Sequence, residues 1–404
     1  MPTAPSHTDT GRGAAGTAAD GVVRPARRSG GAQASRVIFI DLARALAVVF
    51  MLYGHTLHAL LAPAYRAGRL YDVWQFQRGL TSCLFLLLSG FAFSIATSRH
   101  WPSHLTISRA LLKRLRRFGT FVALGYAMRS PVAPLSRMAT ASEAEWQTLL
   151  GVDVLQLIGV TFVLVQVLVL VCRSRRVFGA VALLLAFGLV FYAPWAWSTD
   201  WSSRLPAPAA AYLSPVTGSQ FPLVPWAAFI LAGAALGMLY ARWGAANLGD
   251  YATRALLVPG ALLVMASAWL TAFQVQVFGT GAYAFVPGNL LLRAGVCLAI
   301  VGVIAQASSR LASLPHIFGA VAQESLLIYV LHLLIVYGSV FAPGLLNTFG
   351  PTLAPLQLLP IVVLLISSMA LAAYGWNWLK HTHGRVAWWA SFAVGLVIVV
   401  RLVR

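Results

Sequence analysis

One apolar segment near the start of the chain carries residues that could take part in catalysis. The segment over residues 37–61 reads VIFIDLARALAVVFMLYGHTLHALL and contains Asp41, Arg44 and His55. In a helix, Asp41 lies one turn before Arg44 and can pair with it, whereas Arg44 and His55 share a face about 16 Å apart along the axis. Because the pKa of imidazole is nearest to neutral, His55 could act as a general base, or it could be an ordinary buried histidine. One turn further on, His58 is a weaker candidate for the same role.

A second group of polar residues interrupts the apolar run over residues 324–338. Ser325, Tyr329 and His332 recur at helical spacing, so they form one polar stripe on an otherwise apolar helix. Such a stripe must face protein or water rather than lipid. It could line a substrate site, or its hydroxyl and imidazole groups could hold helices together through hydrogen bonds.

A third group lies near the beginnings of two other apolar runs. Asn289 and Arg293 are four residues apart in FVPGNLLLRAG and share one helix face. Because Arg293 stays charged at every usable pH, it needs an anion close by. That anion could be Asp153, at the start of the run GVDVLQLIG, or a phosphate or carboxylate of a ligand. The first alternative predicts an Arg293–Asp153 ion pair, and the second predicts a binding site.

The composition indicates the class of protein that must position these residues. Hydrophobic residues make up 59% of the 404 residues and charged residues only 10%, whereas a soluble domain carries about 25% charged residues. With three cysteines in the chain, a disulfide-rich scaffold is also excluded. The sequence therefore predicts an all-α, polytopic integral membrane protein with about 10–11 transmembrane helices.

Eleven apolar runs have about the length that crosses a bilayer. They cover residues 37–61, 79–98, 118–135, 152–172, 177–197, 221–241, 255–277, 287–308, 318–341, 355–376 and 386–402. The run 118–135 is the weakest, because Arg129 and Pro131 interrupt it. Residues 1–36 show no apolar periodicity and contain five arginines, so we predict a disordered basic tail there and a single transmembrane domain over residues 37–404.

The net charge of +19 admits two interpretations. A basic protein can bind nucleic acid through its phosphates, but here Arg and Lys cluster in short connectors between apolar runs, such as residues 109–117. Cytoplasmic loops of membrane proteins retain positive charge in this way. We therefore expect no nucleic-acid partner, and we predict a multi-pass protein of the cytoplasmic (inner) cell membrane with a cytoplasmic N-terminus.

Several motifs with known chemistry do not occur in the sequence. There is no P-loop, no glycine-rich dinucleotide turn and no clustered Cys/His spacing. We therefore predict no metal site and no permanently bound cofactor. Neither an internal duplication nor a pair of broken helices, both typical of transporters, is evident.

Residues Arg36 to His55, RVIFIDLARALAVVFMLYGH, resemble the start of the heparan-alpha-glucosaminide N-acetyltransferase catalytic-domain family. The ten residues between Arg44 and His55 are also similar to the Arg–His motif of the related acyltransferase-3 family. Further similar segments are FLLLSGFAFSIA at 85–96, VLQLIG at 154–159, FPLVPWAAFILAGAALG at 221–237 and ESLLIYVLHLLIVYG at 324–338. Two features depart from the pattern. Ala45 follows Arg44 where the family usually has glycine, and no histidine lies between His58 and the second span, where the lysosomal branch has its reactive histidine.

The resemblance implies a membrane-bound acyltransferase that moves an acetyl or other acyl group from cytoplasmic acetyl-CoA or another acyl-CoA to an extracytoplasmic sugar or glycan, by O- or N-transfer. His55 would be the general base or, alternatively, the acyl carrier. Arg44 would orient the donor, and Asp41 would fix Arg44. Arg293, Asn289, Tyr329 and His332 would line the acceptor pocket or stabilise the developing oxyanion, and Asp153 and Ser325 would also contribute to substrate binding. The connector 109–117 could hold the phosphates of coenzyme A, or it could serve topology alone.

Two other functions compete with acyl transfer. In a transporter or flippase the same polar residues would line a substrate path, although the lack of duplication and of broken-helix pairs counts against it. In a structural membrane component they would serve packing beside a partner enzyme. The acyltransferase hypothesis implies three partners, namely acyl-CoA, a glycan or lipid-linked sugar acceptor, and the lipid bilayer. It leaves a homo-oligomer open.

Overall fold

The computed structural model describes residues 37–133, 135–311 and 313–403. Most of these residues lie in helices. The strands β1, Gly338–Ser339, and β2, Ala342–Pro343, have two residues each and pair antiparallel. The prediction of an all-α polytopic membrane protein is therefore confirmed. The tail predicted for residues 1–36 lies outside the described residues.

The longer helices follow one another along the described chain with short connections. They are α1 Ile38–Leu60, α2 Arg69–Arg99, α3 Arg109–Arg129, α4 Glu143–Leu150, α5 Val154–Cys172, α6 Arg175–Ser198, α7 Leu223–Gly244, α8 Leu248–Phe278, α9 Val286–Ser308, α10 His316–Gln323, α11 Ser325–Tyr337, α12 Pro355–Thr382 and α13 Gly384–Val403. Two short helices, Ala207–Ala210 and Leu345–Phe349, lie in connections. The end of α7 and the beginning of α8 each contain a π-helical stretch, Tyr240–Gly244 and Ala252–Leu257.

Eight of the described helices are long and apolar enough to cross a membrane, and the bent pair of α10 and α11 makes nine if it counts as one span. The eight are α1, α2, α5, α6, α7, α8, α9 and α12. Each of the eleven predicted runs coincides with one of these helices, with the bent pair, or with α3 or α13. Helix α3 does not qualify because its first half reads RALLKRLRR, and α13 contributes only a shorter apolar helix, Gly384–Val400.

The run that was predicted as one span over residues 318–341 is broken. Helix α10 ends at Gln323 and α11 begins at Ser325, and the two axes differ by 72°. The expectation of unbroken helices is therefore wrong at this point. The break lies at Glu324, which is 5% exposed and is bound by α12: Lys380 Nζ lies 2.5 and 2.7 Å from its two carboxylate oxygens, and Asn377 Nδ2 donates at 3.0 Å. A charge buried at this depth requires such partners.

Helices α2 and α7 are packed backbone to backbone. A Cβ atom on Gly90 would lie 1.9 Å from the Ile230 carbonyl oxygen, and a Cβ on Gly233 would lie 1.9 Å from the Leu87 carbonyl oxygen. Small residues at membrane helix interfaces allow this close approach. Both glycines belong to segments that resemble the acetyltransferase family, and their contact holds α2 in place as one wall of the site described next.

Candidate active site

A cavity of about 1000 Å³ lies at one end of the helix bundle. Helices α1, α3 and α11 line it with their later turns, α5 and α9 with their first turns, and α2 with residues between Arg78 and Phe85. Six residues that were predicted from the sequence contribute to the lining: His55, His58, Asp153, Asn289, Arg293 and Tyr329. The structure therefore brings together polar residues from four helices that are remote in sequence.

His55 is held by a residue that the sequence analysis did not single out. Its Nδ1 atom lies 3.0 Å from the Tyr337 hydroxyl oxygen, and that hydroxyl lies 3.5 Å from the His55 carbonyl oxygen. The Nε2 atom of His55 has no hydrogen-bond partner among the described residues. Tyr337 lies eight residues after Tyr329, which is two steps of four along the helix face that Ser325 and Tyr329 share. Extending the predicted polar stripe to the end of α11 would therefore have found it.

His332 lies behind His55 rather than in the cavity lining. It is 0% exposed, and its ring centroid lies 5.2 Å from that of His55 and 5.8 Å from that of Tyr329. Its Nδ1–H donates to the Ile328 carbonyl oxygen at 2.8 Å, and its buried Nε2 finds no partner among the described residues. His332 therefore supports the His55 ring by packing.

Arg293 does not pair with Asp153, so that alternative is wrong. The Asp153 carboxylate instead faces Arg129, with 3.7 Å between Oδ2 and Nη1, and accepts the Val154 N–H at 2.7 Å. Arg293 Nε donates to the Asn289 side-chain oxygen at 2.5 Å. Asp153 is the N-cap residue of α5, and Arg129, its partner, is the last residue of α3. Arg293 belongs to the second turn of α9 and does not reach the Asp153 carboxylate.

Two further arginines in the lining were not assigned to the site from sequence. Arg129 was treated only as an interruption of a weak span, and Arg78 lies one residue before the second predicted run. The guanidinium of Arg78 lies 5.8 Å from the centroid of the Trp74 ring, and its Nη1 atom is buried without a partner among the described residues. The cavity thus contains more positive charge than expected.

The remaining predicted residues lie away from the cavity. Asp41 and Arg44 occupy the first two turns of α1, at the opposite end from His55. The charges that act on Arg44 are those of Asp41 and Arg117. Ser325 begins α11 next to the break and is absent from the lining. Asp41 and Arg44, which were predicted to act on the donor, therefore lie at a different level of the bundle from His55.

A polar cluster lies at the end of the bundle away from the cavity, where the basic beginnings of α3 and α6 are. Arg114 on α3 donates to the Thr97 hydroxyl at 2.9 Å and to the Gln166 side-chain oxygen at 3.1 Å, and Gln166 donates to the His104 carbonyl oxygen at 3.2 Å. Burial, together with the charge of Arg114, lowers the pKa of His104. The cluster ties α2, α3 and α5 together on the side away from the cavity.

Comparison with known proteins identifies a family for the greater part of the chain. The family described as "Heparan-alpha-glucosaminide N-acetyltransferase, catalytic" matches residues 36–267, more than half of the 404 residues. No curated protein matches the chain. The matched region includes Asp41, Arg44 and His55, whereas the cavity residues on α9 and α11 lie beyond it.

Proposed function

Because this chain belongs to the heparan-alpha-glucosaminide N-acetyltransferase catalytic family, we propose that it transfers an acetyl or other acyl group from acyl-CoA to a sugar or glycan acceptor. Family membership and the apolar helices make it a multi-pass, acetyltransferase-like membrane protein. The identity of the donor, the side of the acceptor and the role of His55 belong to the proposal. The observation that carries it is the position of His55, in a large cavity with one ring nitrogen held by Tyr337.

The hydrogen bonds of His55 support its assignment as a general base. The Tyr337 hydroxyl can direct its proton to the His55 carbonyl oxygen, which leaves the phenolic oxygen to accept the Nδ1–H of the ring. That arrangement leaves the lone pair on Nε2. A neutral imidazole with one free lone pair is the form that removes a proton.

In the proposed reaction, the imidazole of His55 serves first as a base and then as an acid. Nε2 takes the proton from an acceptor O–H or N–H as that atom attacks the thioester carbonyl carbon of acyl-CoA. The carbon–sulfur bond breaks, and the coenzyme A thiolate recovers the proton from the His55 imidazolium. The products are the acylated acceptor and coenzyme A. Asn289 and Tyr329, which line the same cavity, would position the acceptor or stabilise the oxyanion of the tetrahedral intermediate.

We assign the cavity to the extracytoplasmic side. Connectors that follow α2 and α5 are basic and lie at the end of the bundle opposite to the cavity, and basic connectors favour the cytoplasm. Arg44 and the basic beginning of α3 would then attract the phosphates of acyl-CoA from the cytoplasm, with Asp41 orienting Arg44. The long pantetheine arm of the donor would extend toward His55, about 16 Å away along α1.

Transport without chemistry is the competing function, and the break at Glu324 is the feature that favours it, because discontinuous helices form substrate sites in transporters. An experiment with the purified protein in liposomes separates the two functions. Acetyl-CoA that carries a label in its acetyl group is added, and the label that enters glycans is measured. Acyl transfer predicts labelled glycan that depends on the protein, and transport predicts none. His55→Ala should lower the rate by about 10²- to 10⁴-fold, whereas His383→Ala, an exposed histidine at the end of α12, should not.

A further inference from the structure

The charges in the cavity do not balance. Among the described residues, three arginines, Arg78, Arg129 and Arg293, line it with a single carboxylate, that of Asp153. Arg129 forms an ion pair with the Asp153 carboxylate, and neither Arg78 nor Arg293 forms an ion pair with any described residue. Because a cation at membrane depth is costly without an anion, such residues mark ligand sites by default.

Arg293 is oriented but not neutralised by its neighbours. The Asn289 side-chain oxygen accepts its Nε–H, but this oxygen carries no charge. The rest of the guanidinium lies against the backbone of Gly79 on α2, so close that a Cβ atom at that position would be 1.5 Å from Nη1. The Phe76 ring lies 5.6 Å below the guanidinium carbon. Absence of a side chain at residue 79 therefore creates the slot in which Arg293 lies.

Arg78 follows the same pattern from the neighbouring position on α2. Its guanidinium lies on the Trp74 ring, its Cγ packs near Gly54 of α1, and its Nη1 is buried without a partner among the described residues. A buried N–H of a cation that lacks an acceptor is unfavourable by more than an ordinary unmade hydrogen bond. Arg78 and Arg293 are thus brought to one wall of the cavity, with Gly79 between them.

We infer that Arg78 and Arg293 form an anion-binding subsite for a carboxylate or phosphate group of the acceptor. The inference rests on the proposed function and narrows it, because the acceptor would be an acidic or phosphate-bearing sugar rather than a neutral one. Guanidinium groups match the planar, multiply accepting oxygens of both anions. We assign the anion to the acceptor because the subsite lies at the opposite end of the bundle from the basic connectors that would receive the donor.

The test measures binding without turnover, in the purified full-length protein carrying His55→Ala. Equilibrium dialysis compares two anionic probes, glucosamine 6-phosphate and glucuronate, with neutral glucose. The subsite predicts that the anionic probes bind at least tenfold more tightly than glucose. Arg78→Gln and Arg293→Gln should each weaken anion binding by about 10- to 100-fold, while exposed Arg242→Gln should leave it unchanged.

Gly79→Ala provides a test that keeps both arginines. The added methyl group must displace the Arg293 guanidinium, so anion binding should fall as in Arg293→Gln, whereas Gly119→Ala on α3, where a Cβ meets nothing within 4 Å, should not affect it. Arg293→Lys keeps a charge and should retain part of the preference, which distinguishes lost binding from failed folding.

Three results would overturn the inference: equal binding of glucuronate and glucose, an anion preference that survives both arginine substitutions, or displacement of glucosamine 6-phosphate by coenzyme A. The last would assign the arginines to the donor. An anion preference in a protein that transfers no acetyl group would count against the proposed function alone. Acetyl transfer without an anion preference would count against this inference alone.

Discussion

The Nδ1 atom of His55 and the hydroxyl oxygen of Tyr337 lie 3.0 Å apart, although 282 positions separate the two residues in the chain. His55 is near the end of α1 and Tyr337 is the last residue of α11, so the contact requires both helices to end at the same level. It fixes the orientation of the imidazole that we propose as the general base. Tyr337 acts through His55 and is a positioning residue.

Tyr337→Phe should reduce kcat for acetyl transfer by about tenfold, the value of one hydrogen bond, because the ring loses the acceptor that selects its tautomer. The KM for acetyl-CoA should change little, since the substitution removes no proposed contact with the donor. Steady-state kinetics of the purified protein check this. An effect confined to KM would contradict the positioning role. The control is Tyr374→Phe, because Tyr374 is an exposed tyrosine on α12.

The ion pair at the helix break predicts an order of stabilities. Lys380→Met leaves the carboxylate of the buried Glu324 side chain without its cation and should cost about 3–5 kcal/mol. Glu324→Gln should cost less, about 1–2 kcal/mol, because the Lys380 side chain is 41% exposed and can be solvated. The double variant should be more stable than Lys380→Met. Unfolding in detergent measures the order, and equal losses in both single variants would contradict it.

The contact between α2 and α7 predicts a loss of stability from adding one methyl group. Gly90→Ala would place Cβ 1.9 Å from the Ile230 carbonyl oxygen, so the helices must separate, at a cost of about 1–3 kcal/mol. Gly188→Ala on α6 meets nothing within 4 Å and should be neutral or slightly stabilising. Thermal unfolding of the two variants compares them directly. Equal melting temperatures would show that the close contact is unimportant.

The sequence was sufficient to predict the helical class, because length and apolar composition largely determine which segments can cross a bilayer. It was not sufficient to predict the break at Glu324, since the stabilising partner, Lys380, lies 56 positions further along the chain. Periodicity alone describes one helix and contains no information about such a contact.

The candidate site could also be predicted only in part, because it too depends on contacts between distant segments. His55, Asn289 and Arg293 were identified because polar residues inside apolar runs are conspicuous, and the structure places all three in one cavity. Arg78 was not, because the apolar run begins after it, whereas α2 begins at Arg69 and is polar on its first turns. The role that we infer for Arg78 depends on Arg293, and only the tertiary structure places Arg293 against Gly79.

The most direct test of the account is chemical rescue of the His55→Ala protein. Acetyl transfer from labelled acetyl-CoA to a glycan acceptor is measured for the wild type and the variant, with and without added imidazole. If His55 is the base, the variant should lose about 10²- to 10⁴-fold in rate, and imidazole, which fits the space left in a cavity of about 1000 Å³, should restore part of it. Transfer by His55→Ala at the wild-type rate would contradict the central claim.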